Sequence, residues 1–389
     1  MAKFVFIVPP LQGHINPTLS TGTDLLRLGH EVAWIGHEFI LRGKLPSHGQ
    51  LIPVNDKKDY SYYETLAEKS KRISGLLSLK FLYEDILVPL AKSTYDSIKE
   101  SVEKYQPDLI INDQQAWAAH IVAIQKGIKY ATFCTTSAGI IEPLEGFTKI
   151  TEWEEQIIVN LQKEYGIHSE KKLNNSELLT VVFSTQALIS DINRFPAWFK
   201  FVGPAISSRP AEPEFPWEKF RSAQSPKILI TLGTVNQEKG KDFFPKVYEA
   251  FKNKDMFIIC IAPPEFFPII PGNFIVQPFI PQLKILESLD LVICHAGHNT
   301  VCEALAHAVP LVVCPIKDDQ YTIATQCVKA GVAERIKFAR FKSDMLFETV
   351  KKVLSDKKYK FNAEKVMESF KKAGGSQKAT ELLIELTNH

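Results

Sequence analysis

The chain has 389 residues, 45% of them hydrophobic and 23% charged, with 46 basic residues against 44 acidic ones for a formal net charge of +2. That length suits two domains of ordinary size, and the composition suits a globular chain with a sizeable core. A balance so near neutral gives no reason for a polyanionic partner, which sets nucleic-acid binding aside.

The first residues, MAKFVFIVPPLQGHIN, hold an apolar run from Phe4 to Val8. It is too short for the core of a signal peptide, no small-residue cleavage site follows, and it reads as a buried strand. No run of about 18 apolar residues occurs anywhere, so no membrane span is expected. After the strand Lys3–Val8 comes the loop PPLQGHI, which carries His14. Asn16 is placed to cap a helix with Pro17 at its first position, where the missing N–H is harmless. That helix stops near Arg27 with Gly29 behind it, and HEVAWIG is the second strand. The βαβ unit so formed predicts a parallel sheet. Two stretches, Tyr60 to Leu90 and Pro143 to Tyr165, read as helical insertions. PDLIIND is a strand ending at Asp113, Trp117 to Gln125 is a helix closed by Gly127, and KYATFCTT is the next strand.

Composition changes at residues 207–226, a proline-rich stretch with no periodic apolar pattern that reads as a linker. The alternation then restarts. KILITLG, MFIICIA, NFIVQ, LVICHAG and LVVCP read as strands, and Ile323 to Lys329 as a helix ended by Gly331. The expected architecture is α/β: two Rossmann-like βαβ domains facing a cleft, with ligands at the carboxyl ends of the strands. The domains expected are residues 1–206, a linker 207–226, and residues 227–375. The six cysteines form no CxxC pair and sit mostly in apolar runs, as reduced core residues of a cytoplasmic protein do. There is no GxGxxG after a strand, no GxxxxGK[ST], no DxD at Asp318–Asp319, and no metal-ligand spacing.

One segment concentrates polar chemistry on consecutive strand–helix turns: FIPQLKILESLDLVICHAGHNTVCEALAHAVPLVVCPIKDDQ. Gly297 lets backbone come close to a ligand. Asn299 and Thr300 stand where a helix begins, and the N–H groups there make an anion site suited to a diphosphate. His295, at the strand end, adds a hydrogen bond. Glu303 lies one turn further, on the side of Thr300, where a carboxylate accepts both hydroxyls of a ribose. Phe279, ahead of Ile280 and Gln282, offers a face for a base. Asp319 and Gln320 are placed to grip sugar hydroxyls, and Thr234 closes the TLGT strand end. Taken singly, each has a plain structural reading as a helix cap, a solvated face or a core residue; the ordered set is what points to a nucleotide sugar. Transfer also needs a base for the acceptor hydroxyl. His14 is the candidate, with Asp113 the carboxylate to fix its tautomer. The other histidines, among them His30, His37, His48, His120, His168 and His307, show no such partner pattern and read as structural or surface residues.

The segment Phe279 to Gln320 resembles the signature box of the family 1 UDP-glycosyltransferases, known from plant secondary-product enzymes and bacterial macrolide glycosyltransferases. The start GHINP (Gly13 to Pro17) and the strand end PDLIIND match too, so the resemblance covers essentially the whole chain. It implies the GT-B fold, an acceptor-binding first domain, a nucleotide-sugar-binding second domain, and a last helix (residues 376–389) packing back on the first. It also implies that His14 and Asp113 form the catalytic dyad of an inverting, metal-independent reaction with UDP-sugar as donor and no cofactor. The chain departs from the plant pattern in three ways. Phe279 stands where those enzymes have Trp, His298 likewise replaces a Trp whose backbone meets the sugar, and the box is shorter between Gln282 and His295. Glu303 favours UDP over dTDP, and the Asp319–Gln320 ending favours glucose. The aromatic segments YSYYETL and LKFLYED, with CTTSAGIIEPLEGF, suggest a small lipophilic acceptor such as a macrolide, flavonoid, terpenoid or carotenoid. The short chain and the VPPLQGHINP start look more like the bacterial macrolide and zeaxanthin enzymes than the plant ones. Two other readings fit the same fold. A sugar-nucleotide epimerase requires acid–base carboxylates around the sugar. A non-catalytic accessory protein has no use for His14 and Asp113.

Overall fold

The computed structural model describes residues 1–70, 73, 76–136, 148–206, 213–233, 239–317 and 319–388, without the side chains of residues 67, 76 and 148. Thr234, Asp318 and the stretch 137–147 therefore lie outside the described residues, and with them much of the segment CTTSAGIIEPLEGF.

The chain divides into two compact units. The first comprises Met1–Ser184, Ile192–Ser207 and Ala373–His389. Among the described residues its strands are β1 (Lys3–Ile7), β2 (Glu31–Gly36), β3 (Gln50–Pro53), β4 (Leu109–Asp113), β5 (Tyr130–Cys134), β6 (Thr180–Val182) and β7 (Phe199–Phe201). They lie in the order β3-β2-β1-β4-β5-β6-β7, every pair parallel. The second unit, Thr185–Asp191 with Ser208–Lys372, holds β8 (Lys227–Thr231), β9 (Phe257–Ile261), β10 (Phe274–Gln277), β11 (Leu291–Cys294), β12 (Leu311–Val313) and β13 (Ala333–Arg335). These run parallel in the order β10-β9-β8-β11-β12-β13.

The central strands show why these sequences fold so. Along β1, Val5 and Ile7 pack into one cluster while Phe4 and Phe6 pack into another. Along β8, Ile228 and Ile230 go one way and Leu229 the other. Alternate side chains leave opposite faces of a strand, so a continuous apolar run buries both faces under helices. Each unit is thus a helix–sheet–helix sandwich. The last helix, Gly375–Asn388, belongs to the first unit: Ala379 and Leu383 join its core, and the Ser376 hydroxyl donates to Asp24 at 2.7 Å.

Several local expectations need correction. The first helix runs from Gln12 to Arg27, so Pro17 lies inside it rather than at its first position. Asn16 does not cap it; its side-chain oxygen accepts from Gln12 Nε2 at 2.8 Å. His14 therefore stands on a helical first turn, not in a loop. The linker reading fails over Trp217–Ser222, which forms a helix whose Phe220 is buried in the second unit's core. Thr185–Asp191 also sits in the second unit, because Leu188 packs into that same core.

His120 is wholly buried on the helix Trp117–Lys126, and burial lowers its imidazole to about 3. An unfolded histidine takes its proton near pH 6.5, about three units before the folded one does. This group leaves stability unchanged above about pH 6.5 and lowers it below that, by up to about 1.4 kcal/mol per pH unit. The urea midpoint of the wild type is expected to fall between about pH 6 and pH 4.5 more steeply than that of His120→Leu; equal slopes contradict the account.

Candidate active site

Strands β1 and β4 are hydrogen-bonded neighbours, with Ile7 in register with Asn112. The residues just past both strands therefore meet at one sheet edge, as in other open parallel sheets where the carboxyl ends carry the site. His14, on the first turn of the helix that follows β1, reaches Asp113 at the end of β4. Its Nδ1 lies 3.0 Å from both carboxylate oxygens. Asp113 is 0% exposed and His14 14% exposed by side chain. A carboxylate so buried must be hydrogen-bonded throughout. The Gln115 N–H donates to Oδ1 at 2.8 Å and the Thr135 hydroxyl to Oδ2 at 2.9 Å. Thr135 Oγ1 also lies 2.8 Å from His14 Nδ1. With Nδ1–H held by this carboxylate, the imidazole carries its basic lone pair on Nε2. Thr135, one residue beyond β5, was not singled out from sequence. Its signal was available: a hydroxyl residue at the strand end beside Asp113.

The second unit repeats the geometry. Cys294 of β11 is in register with Thr231 of β8 and Val313 of β12. His295 follows β11 and Gly233 stands just beyond β8. A β-carbon built on Gly233 falls 2.6 Å from His295 Cε1, and one on Gly297 falls 2.5 Å from its Nε2. Both glycines are thus demanded by the His295 ring, an internal reason that the ligand-approach reading of Gly297 omits. Between them Ala296 takes φ 66°, the left-handed region that a residue with a β-carbon adopts at a cost of about 1–2 kcal/mol. Burial lowers His295 to about 4, against a smaller opposite effect of the Thr231 backbone, so the ring is neutral at neutral pH. Any help it gives to an anion is a hydrogen bond, not a charge.

The helix His298–Ala306 begins after Gly297, which has no side chain to cap it, so Asn299 and Thr300 occupy its first turn. His298 turns its side chain into the protein, with Nε2 3.5 Å from Cys302 Sγ. Glu303 is buried and accepts from Gln282 Nε2 at 2.6 Å, which joins two candidates that the sequence left separate. Phe279 is 65% exposed, whereas its neighbour Ile280 is core. Asp319 stands just before the helix Gln320–Lys329 with helical backbone angles and makes no capping side-chain bond to it. Gln320 Oε1 accepts from the backbone N–H groups of Ile316 and Lys317 at 2.9 and 3.2 Å, which ties the loop after β12 to that helix. Thr234 lies outside the described residues.

The packing of His295 between two glycines is testable by melting curves. Gly297→Ala is expected to destabilise the protein by about 1–3 kcal/mol, and by less than about 0.5 kcal/mol in a His295→Ala background. Gly233→Ala keeps about 1 kcal/mol of its penalty there, because its φ of 70° remains unsuited to alanine. An unchanged Gly297→Ala penalty without the imidazole contradicts the packing account.

Residues 226–381 match the family model of the glycosyltransferase family 28 C-terminal domain. The uncharacterized UDP-glucosyltransferase YojK of Bacillus subtilis is 26% identical over 409 aligned residues, covering 99% of this chain and 97% of that protein. The NDP-glycosyltransferase YjiC of Bacillus licheniformis is 28% identical over 395, covering 96% and 94%. Among solved structures, the glycotransferase of kitacinnamycin superposes with a TM-score of 0.79 at 20% identity, covering 99% of each chain. The chain is similar over its whole length to these glycosyltransferases and has the two-domain α/β GT-B fold.

Proposed function

We propose that the protein is an inverting glycosyltransferase that moves a hexose, glucose in the first instance, from UDP to a hydroxyl of a small lipophilic acceptor. The observation that carries this reading is the buried Asp113 carboxylate with His14 Nδ1 at 3.0 Å from both its oxygens. An imidazole held in that tautomer accepts the acceptor's proton on Nε2, and the carboxylate then stabilises the imidazolium. The acceptor oxygen forms its bond to the anomeric carbon as the bond to UDP breaks, the electron pair leaving on the diphosphate.

The second unit supplies the nucleotide contacts in this reading. The leaving diphosphate is met by the first-turn N–H groups at Asn299 and Thr300, by neutral His295 and by Thr234, with no metal ion required. Glu303 takes the ribose hydroxyls, its carboxylate already steadied by Gln282. Phe279, exposed as a base platform must be, stacks on uracil, and Gln282 and Ile280 hold it in place. The His298 backbone, Asp319 and the Gln320 amide N–H group face the sugar. YojK is named for a uridine nucleotide and glucose, and the kitacinnamycin glycotransferase for a natural product; these names support the donor and acceptor classes. The six buried, free cysteines agree with a cytoplasmic setting.

His14→Ala is expected to lower kcat by about 100-fold or more and leave the Kd for UDP within about twofold. Glu303→Ala is expected to do the reverse, raising the Kd for UDP by about 10-fold and erasing the preference for UDP over dTDP. Calorimetric titration beside steady-state assays reads both. Full turnover by His14→Ala removes the dyad from the reaction.

A further inference from the structure

A second histidine–carboxylate pair sits on the same sheet edge and has no part in the chemistry above. Strands β2 and β3 pair with Gly36 in register with Pro53, so the residues beyond them come together. His37 Nε2 lies 2.7 Å from Asp56 Oδ2, and both side chains are buried. Tyr63 donates its hydroxyl to the same oxygen, and the Lys58 N–H donates to Oδ1 at 2.8 Å. Burial alone pushes the Asp56 carboxyl up, but the hydrogen bonds from His37, Tyr63, Ser93 and Lys58 outweigh it and bring the group down to about 2. With Nε2–H donating to this carboxylate, the neutral imidazole carries its lone pair on Nδ1.

That Nδ1 is buried and has no hydrogen-bond partner among the described residues. Only 7% of His37 is exposed, and it lines a pocket of about 20 Å³ with Ile35, Val54, Leu90, Gln115 and Trp117. The space suits one hydroxyl-sized group, since a water needs about 10–15 Å³. Gln115 Oε1 is likewise buried without a partner, and the Gln115 N–H bonds Asp113, so the pocket adjoins the dyad through one residue. An aromatic cluster continues from His37: Phe39 at 5.4 Å and Tyr63 at 5.3 Å between ring centroids, with Tyr60 5.2 Å beyond Phe39. Phe39 and Tyr60 are exposed.

We propose that His37 is a specificity-determining residue: its Nδ1 accepts a hydrogen bond from a second hydroxyl of an aromatic acceptor, one other than the hydroxyl that is glycosylated. Two buried acceptor atoms without partners among the described residues, on residues that line one pocket, call for a donor group, and the neighbouring exposed rings call for a flat apolar body. The acceptor class is therefore a polyhydroxylated aromatic compound. Naming it an acceptor rests on the transferase reading; the binding itself does not.

The test is calorimetric binding of naphthol and of the dihydroxynaphthalene isomers to the full chain. At least one isomer is expected to bind about 10-fold more tightly than naphthol, and His37→Phe is expected to bring that ratio to about one. Asp56→Asn, which releases the tautomer, is expected to lower it to about threefold or less; it carries the test if His37→Phe does not fold. UDP binding and melting temperature verify the fold of each variant. If no isomer exceeds naphthol by about twofold, or if the ratio survives both substitutions, the pocket holds a buried water only and the proposal is wrong. Assays with UDP-glucose separate the two claims. A preserved ratio without sugar transfer overturns the transferase reading alone, and transfer with a ratio of one overturns the His37 site alone.

Discussion

The buried carboxylate of Asp113 is the constraint on which the first unit's site depends. An ionised carboxylate removed from water is unfavourable by several kcal/mol unless every oxygen is hydrogen-bonded. Its position at the end of β4, between β1 and β5, leaves three sources of donors: the helix after β1, the turn after β4 and the residue after β5. Those sources supply His14, the Gln115 N–H and Thr135. Satisfying the carboxylate therefore fixes which nitrogen of His14 is basic. The early start of the helix at Gln12 places that imidazole on a rigid turn, so stability and chemistry make the same demand on the local backbone.

The second unit meets a related problem with a neutral group. His295 is pressed between Gly233 and Gly297 and stays uncharged, while Ala296 holds a left-handed backbone between ring and helix. Strain of this kind persists only where the surrounding packing over-determines it, and it collects at functional turns. The buried Gln282–Glu303 hydrogen bond likewise fixes a carboxylate in place. The two units thus carry different burdens. One holds an imidazole whose tautomer is set by a buried carboxylate, and the other holds polar side chains fixed by packing.

Much of this was legible in the sequence because the central strands are apolar on both faces. The strands β1, β2, β4, β5 and β8 to β12 stand out as apolar runs between turn residues, and His14, Asp113 and the His295–Gln320 segment follow from them by position. What stayed hidden has a common physical cause. Strands β3, β7 and β13 are short and also partly exposed, so no continuous apolar run marks them. Without β3 there is no reason to bring Asp56 to His37, nineteen residues away in the chain. Pro17 misplaced the first helix because a proline normally opens one, and here it lies a turn and a half inside. Gly297 was legible as a close approach, but the neighbour approached is the chain's own histidine.

The central claim is that an oxygen of the acceptor displaces UDP directly, with His14 taking its proton. In-line displacement by one nucleophile leaves a single stereochemical signature. The most direct measurement is the anomeric configuration of the product formed from UDP-α-glucose and a phenol, read by proton NMR before mutarotation or hydrolysis intervenes. The account predicts the β-glucoside alone. An α-glucoside, or release of free glucose and UDP with no glycoside at all, contradicts it.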